Sequence, residues 1–279
     1  MIGRHPGRAL ALAGLLSIVA AGVALAPRHA LAAAARGEES FSRDPFGTVT
    51  LYRPAAPPSG SAAARPPHLV LFVSGDGGWK LGVVDMAREL AGRGAAVAGI
   101  DITHYIRTVT GAAAAAPGAC FNPGQDFADL GREVAGRLGT DPRQPPILVG
   151  YSSGATLVYA ALVQAAPGAY AGAISLGFCP DLIVNMPICK GNGLAWKHDP
   201  HQKGVDFLPS RLLAVPWVAL QGDIDKICTP ADTRAYVHQV PHGELVWLPK
   251  VGHGFSVPRR WLPQLLASFD RVVRAADQR

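Results

Sequence analysis

Gly150-Tyr151-Ser152-Ser153-Gly154 places a serine at the spacing G-x-S-x-G, with the apolar run PILV (146–149) before it and ATLVYAALVQA (155–165) after it. A strand that turns sharply into a helix needs glycine two residues either side of the apex, where a Cβ would clash, and such a turn lifts the apical hydroxyl out of the sheet. Ser152 is the candidate nucleophile, and the helix N-terminus beyond it favours negative charge nearby. A serine hydroxyl needs a base to take its proton. In a strand–turn–helix setting the acid and then the histidine follow along the chain, each in a loop after a strand. VALQGDIDKICTP (218–230) supplies Asp223 and Asp225, and WLPKVGHGF (247–255) supplies His253 in a glycine-flanked turn. Asp225, three residues past Gly222, is the first choice of acid, with Asp223 and Asp181 as alternatives. The acid would fix the imidazole tautomer and stabilise the imidazolium.

A second chemical element is VLFVSGDGGWK (70–80), an apolar strand running into Gly75, Gly77 and Gly78. A dinucleotide fingerprint would need glycine where Lys80 stands, and the G-x-x-x-x-G-K-[ST] pattern of a phosphate loop is absent. Hydrolysis at an elbow serine does need a backbone N–H from the loop after this strand, paired with that of the residue following the nucleophile. The expected oxyanion hole is therefore the N–H of Asp76 or Gly77 together with that of Ser153. Such a set works without metal or cofactor, so neither is expected, and the cysteines do not have zinc-motif spacing.

These residues must be held by regular elements, and the texture of the chain supplies them. Strands are expected at 46–54, 69–73, 95–100, 146–150, 171–178, 216–222 and 244–249. Helices are expected at 83–94, 126–138, 155–165, 231–240 and 259–275. Short, doubly apolar strands alternating with helices give an α/β fold, a mostly parallel central sheet with helices on both faces. The 102–125 and 180–211 stretches fit the alternation poorly and read as loop excursions over the carboxyl ends of the strands, where ligands bind in open α/β folds.

The chain of 279 residues is 49% hydrophobic and 16% charged, enough for one sizeable core and too apolar for a disordered chain. Arg4 and Arg8, the apolar run Ala9–Ala26 and the small residues at 30–32 form the three-part pattern of a secretory signal peptide over 1–32. Residues 33–45 read as a disordered mature N-terminus and 46–279 as one domain. Removing Arg4, Arg8 and Arg28 lowers the formal charge from +6 to +3. No basic stripe or aromatic platform marks a nucleic-acid partner, whereas mild attraction to an anionic membrane surface is expected. Export to an oxidising periplasm makes disulfides the expected state of Cys120, Cys179, Cys189 and Cys228. The ten-residue separation across CPDLIVNMPIC suggests Cys179 with Cys189, leaving Cys120 with Cys228.

SGDGGW (74–79), GYSSGATL (150–157), SLGFCPD (175–181) and LPKVGHGF (248–255) together resemble the bacterial VirJ/AcvB virulence-protein family, in particular the single repeat towards the N-terminus of AcvB-type proteins. The resemblance runs from about residue 46 to the C-terminus. It implies a periplasmic α/β-hydrolase whose triad positions are matched by Ser152, Asp225 and His253. It also implies an activity assigned to some members, hydrolysis of the aminoacyl ester of lysyl-phosphatidylglycerol. A lysyl group calls for an acidic subsite, for which Asp76, Asp126 and Asp181 are the candidates, with Trp79 beside them. A cysteine-bearing loop after residue 100 departs from the shorter VirJ pattern and bears on substrate rather than chemistry. The alternative readings are a hydrolase of another small-molecule or lipid ester, or a binding protein that partners a type IV secretion system.

Overall fold

The computed structural model describes residues 37–54, 66–113, 119–198 and 203–279. The leader expected at 1–32 lies outside the described residues. No helix among them is long and apolar enough to cross a membrane.

A central sheet is built from β1 (Glu38–Arg43), β2 (Gly47–Tyr52), β3 (Leu69–Val73), β4 (Ala96–Ile100), β5 (Ile147–Tyr151), β6 (Gly172–Leu176), β10 (Trp217–Gly222) and β11 (Gly243–Leu248). Its order is β1-β2-β4-β3-β5-β6-β10-β11. β2 pairs antiparallel with both β1 and β4, while every pairing from β4 to β11 is parallel. The inner strands are apolar on both faces because both faces are covered. Along β3, Leu71 and Val73 point into the core shared with α3 (Pro123–Leu138) and α4 (Ser153–Gln164). Val70 and Phe72 point into the core shared with α1 (Gly82–Gly92) and α6 (Leu262–Asp277). The expected mostly parallel sheet with helices on both faces is therefore the observed architecture. α3 starts and stops where its sequence dictates: Asn122 accepts the Gln125 N–H, Pro123 opens the first turn, and Gly139 closes the helix in the left-handed region.

Three sequence expectations are corrected here. The disordered stretch expected at 33–45 contains β1, which pairs with β2 in register from Glu38–Tyr52 to Arg43–Gly47 and extends the sheet at its edge. The 102–125 excursion is largely helical. α2 (Ile102–Ala113) begins where Asp101 accepts the N–H groups of Thr103 and His104, and Tyr105 packs against Phe46 and Phe127. The 180–211 excursion carries a small sheet of its own, β7 (Asp181–Leu182), β9 (Val205–Phe207) and β8 (Trp196–His198), antiparallel throughout. α5 (Pro230–Val237) follows β10.

The disulfide pairing is also corrected: Cys120 is bonded to Cys189 and Cys179 to Cys228, each with Cα atoms 5.0 Å apart. Sheet adjacency decides this, not separation along the chain. β6 and β10 are parallel neighbours, so the loops leaving them, bearing Cys179 and Cys228, run side by side. The chain between Cys179 and Cys189 instead crosses to the approach to α3, where Phe121 bridges Ile188 and the Cys189 N–H donates to the Phe121 carbonyl. Non-reducing peptide mapping should recover Cys120 joined to Cys189 and Cys179 joined to Cys228; a Cys179–Cys189 peptide would refute the fold of this region. Replacing Cys120 and Cys189 by serine should lower unfolding free energy by about 4 kcal/mol, the loop-closure value for a loop of this size, measured by urea titration.

Candidate active site

β5 ends in a turn that the sequence can make only with its two glycines. Ser152 sits at φ 55, ψ −126, a region that side-chain-bearing residues rarely occupy. A Cβ on Gly150 would run into the Gly154 backbone, and one on Gly154 into the carbonyls of Val73 and Ser74 at the end of β3. The Ser152 N–H donates to the Leu176 carbonyl of β6 at 2.9 Å, and its own carbonyl accepts the N–H of Ala155 at 2.7 Å. The apex is thus tied to β6 and to the first turn of α4, and Oγ projects from the carboxyl end of the sheet.

Ser152 Oγ lies 2.9 Å from His253 Nε2, and His253 Nδ1 lies 2.8 Å from Asp225 Oδ2. The structure thus brings together the three residues singled out as nucleophile, base and acid. The Asp225 side chain is 0% exposed and that of His253 16%, so the acid is dry while one edge of the imidazole remains reachable. Burial opposes ionisation of Asp225. The His253 bond, with the N–H groups of Ile227 (2.8 Å) and Cys228 (3.0 Å) donating to Oδ1, outweighs it and holds the carboxyl below its ordinary value. Asp223 does not reach the histidine. It accepts the Lys250 N–H at 2.6 Å and so ties the acid loop to the histidine loop. Asp181 lies in β7, apart from His253.

Several residues not singled out from sequence complete the arrangement. Tyr151 donates its hydroxyl to the His253 carbonyl at 2.9 Å and lays its ring against the imidazole. Gly177, at φ 63, leaves room for that imidazole, because a Cβ there would stand 3.2 Å from it. The buried amide of Gln221 donates to Asp225 Oδ2 and to the Cys228 carbonyl. Asp101 receives the Trp79 N–H at 3.1 Å and so holds the turn after β3. A tyrosine inside G-x-S-x-G and a glycine in SLGF are visible in the sequence, but only the fold shows that both face His253.

The turn after β3 is closed by the Gly78 N–H donating to the Gly75 carbonyl at 2.9 Å. Among the described residues, the N–H groups of Asp76, Gly77 and Ser153 have no protein acceptor. Ser153 Oγ donates to Asp76 Oδ1 at 2.6 Å, joining the two loops that carry these N–H groups. Beside Ser152 opens a cavity of about 600 Å³, walled by Ile102, Ile106, Leu182 and Ile183 and bearing Asp76, Asp181 and Arg107.

Two expected substrate contacts fall elsewhere. Asp126 lies under α2, where it accepts the Tyr105 hydroxyl at 2.7 Å; burial raises its pKa, opposed by that bond. Trp79 turns away from the serine and inserts over Gly99 of β4, where no Cβ could stand, with its indole N–H on the Tyr52 hydroxyl at 3.1 Å. Asp225, Cys228 and His253 form the one metal-like donor grouping among the described residues. Its sulfur is committed to Cys179, and its carboxylate and imidazole to each other, so it does not suit a cation.

No protein-family model matches the chain, and no curated protein matches it. Solved structures do. The esterase domain of a Rhodothermus marinus protein is 16% identical with a TM-score of 0.50, covering 86% of this chain and 95% of that one. Thermogutta terrifontis esterase 2 phosphonylated by cyclosarin is 18% identical with a TM-score of 0.52, covering 84% and 92%. Est1E from Butyrivibrio proteoclasticus is 12% identical with a TM-score of 0.51, covering 85% and 99%. At these identities the likeness establishes the fold: the chain has the α/β-hydrolase fold.

Because the gaps at the elbow are walled by backbone, Gly154→Ala should cost at least about 1–3 kcal/mol of unfolding free energy, the usual penalty of overpacking, read from urea denaturation. A second expectation concerns pH. A carboxyl whose folded pKa is depressed contributes stability above its unfolded value, which is lost as pH falls through the folded one. Asp225→Asn should therefore be less stable than the parent at neutral pH. The difference should narrow only as pH drops below the ordinary aspartate value of 3.8; a gap that is constant down to strongly acidic pH would contradict the ionised assignment.

Proposed function

We propose that the protein is a serine hydrolase of carboxylic esters, acting through Ser152, His253 and Asp225, and that its substrate is an aminoacyl ester of a lipid such as lysyl-phosphatidylglycerol. The observation that carries the first part is the continuous hydrogen-bonded chain from Ser152 Oγ through His253 to Asp225 at a strained elbow. Ser152 Oγ attacks the acyl carbonyl carbon as its proton passes to His253 Nε2. Asp225 fixes the tautomer with Nδ1–H and steadies the imidazolium. The oxyanion is received by the Ser153 N–H and by that of Asp76 or Gly77. Collapse breaks the acyl–oxygen bond, the leaving alcohol takes the proton from Nε2, and an acyl-serine remains. Water, deprotonated by His253, then attacks the acyl-serine and releases the carboxylic acid.

The substrate class is supported by the cavity wall and by the motifs that resemble those of VirJ/AcvB proteins. Asp76 and Asp181 offer carboxylates to an ammonium group, and aliphatic side chains stand around them. Two disulfides suit an oxidising compartment, in keeping with the leader pattern and a periplasmic location.

A fluorophosphonate probe should label the native protein and leave Ser152→Ala unlabelled. Absence of label while a known serine esterase reacts in parallel would defeat the catalytic reading and favour a binding role. Asp225→Asn should keep its fold and lose turnover of a soluble ester by about 10⁴-fold, as expected when the imidazole adopts the wrong tautomer. With lysyl-phosphatidylglycerol, the parent should release free lysine and Ser152→Ala should not; equal release from both would remove this substrate.

A further inference from the structure

Isolated exposed apolar side chains are ordinary on a protein surface; several gathered at one end of a sheet are not. Seven large hydrophobic residues are exposed among those described, and four of them lie on loops leaving the carboxyl ends of the parallel strands. Leu81 (80% exposed) follows β3, Ile183 (63%) follows β6 and β7, and Ile224 (57%) and Ile227 (70%) follow β10. Of these strands, β3, β6 and β10 belong to the contiguous run β3-β5-β6-β10, with the elbow serine just past the end of β5 between them. Ile183 and Ile227 stand at the wall of the cavity beside Ser152. Leu81 stands on the other flank, over a smaller hollow bordered by Tyr151 and Gly254.

Leu81 is notable for its backbone. Its φ 55, ψ −132 nearly duplicates the φ 55, ψ −126 of the elbow serine, a conformation natural to glycine and strained for leucine. Folding gains nothing from a strained residue whose side chain is left in water. Cations accompany the aliphatics: Lys80 precedes Leu81, Lys226 lies between Ile224 and Ile227, and Arg107 borders the cavity, all exposed. Of the nearby carboxylates, Asp85 is exposed but paired with Arg88, and the others are turned to internal tasks or to the cavity. Asp225 is buried on His253, Asp223 holds the Lys250 N–H, Asp76 accepts from Ser153, and Asp181 lies on the cavity wall.

We propose that this end of the sheet docks on an anionic lipid bilayer, with Leu81, Ile183, Ile224 and Ile227 entering the acyl boundary and Lys80 and Lys226 at the phosphates. Aliphatic tips alternating with lysines match an interface that is apolar below and negatively charged above. A protein partner would more often be met by aromatic anchors, and the exposed large hydrophobics described on these loops are all aliphatic. Docked in this way, the cavity mouth faces the bilayer, and a lipid reaches it without crossing water. The docking needs neither Ser152 chemistry nor a particular ester, so it stands or falls apart from the proposed activity.

The described fold begins at Gly37, so a chain starting at Ala33 keeps all of it while removing the apolar run at 9–26. This chain carrying Ser152→Ala should sediment with vesicles of phosphatidylglycerol and phosphatidylcholine, progressively less as salt rises, and only weakly with phosphatidylcholine alone. Leu81→Ser and Ile227→Ser should each weaken binding by about ten-fold, with thermal unfolding recorded alongside. If either variant melts early, Lys80→Glu with Lys226→Glu takes its place and should abolish the preference for anionic vesicles. No sedimentation, equal binding to neutral vesicles, or binding unchanged in the substituted chains would overturn the proposal. So would a parent dimer, seen by sedimentation velocity, that the same substitutions split into monomers, since the rim would then belong to a second copy.

Discussion

The site rests on a close approach between backbones. The ends of β3, β5 and β6 converge so tightly that Gly150 must pass Gly154 and Gly154 must pass the last carbonyls of β3, with no Cβ between them. That convergence forces Ser152 into its strained conformation, and the bond from its N–H to Leu176 holds it there. Everything chemical about the site follows from this constraint. It aims Oγ away from the sheet, starts α4 directly behind it, and sets the turn after β3 beside Ser153. A looser crossing would relax the serine and part the two loops that the Ser153–Asp76 bond joins.

The second half of the site is organised electrostatically. Asp225 loses its hydration on burial and recovers it from fixed donors: His253 Nδ1, two backbone N–H groups of its own loop, and the Gln221 amide. Those donors stay in place because the loop is anchored at both ends. Asp223 reaches across to the histidine loop, and Cys228 is tied to the exit of β6. His253 is in turn confined between Tyr151 and Gly177. The imidazole is thus held by residues at or just past the ends of β5, β6 and β10, neighbouring strands of the sheet, and its orientation is a property of the sheet rather than of its own loop.

This explains what could be read in advance. Ser152, Asp225 and His253 were legible because each is marked locally, by flanking glycines and by position after an apolar run, and the inner strands because both faces are apolar. Asp126 and Trp79 were misplaced because nearness in sequence to a strand end says nothing of which way a side chain turns. Gly99 opens the slot that draws Trp79 inward, and Tyr105 captures Asp126. The disulfides were misjudged for the related reason that strand order, not loop length, sets which exits are neighbours. β1 was missed because its burial alternates weakly at a sheet edge, and it forms only because β2 offers a partner.

In the proposed reaction, the position of Asp76 ties the site's chemistry to its choice of substrate. In that reaction, a carboxylate beside the N–H groups that would receive the oxyanion repels the charge developing there, and in a partly desolvated site that repulsion is weakly screened. Its bond from Ser153 Oγ disperses the charge without removing it. For an ester with an uncharged acyl group, the carboxylate therefore works against the transition state. An acyl group carrying an ammonium reverses the balance. In the proposed reaction the cation would pair with Asp76 and Asp181 on the cavity wall, and its own field would favour the oxyanion a few bonds away. On the proposed reading, a loop poorly suited to neutral esters would suit aminoacyl ones, since discrimination can arise from what a site repels as well as from what it binds.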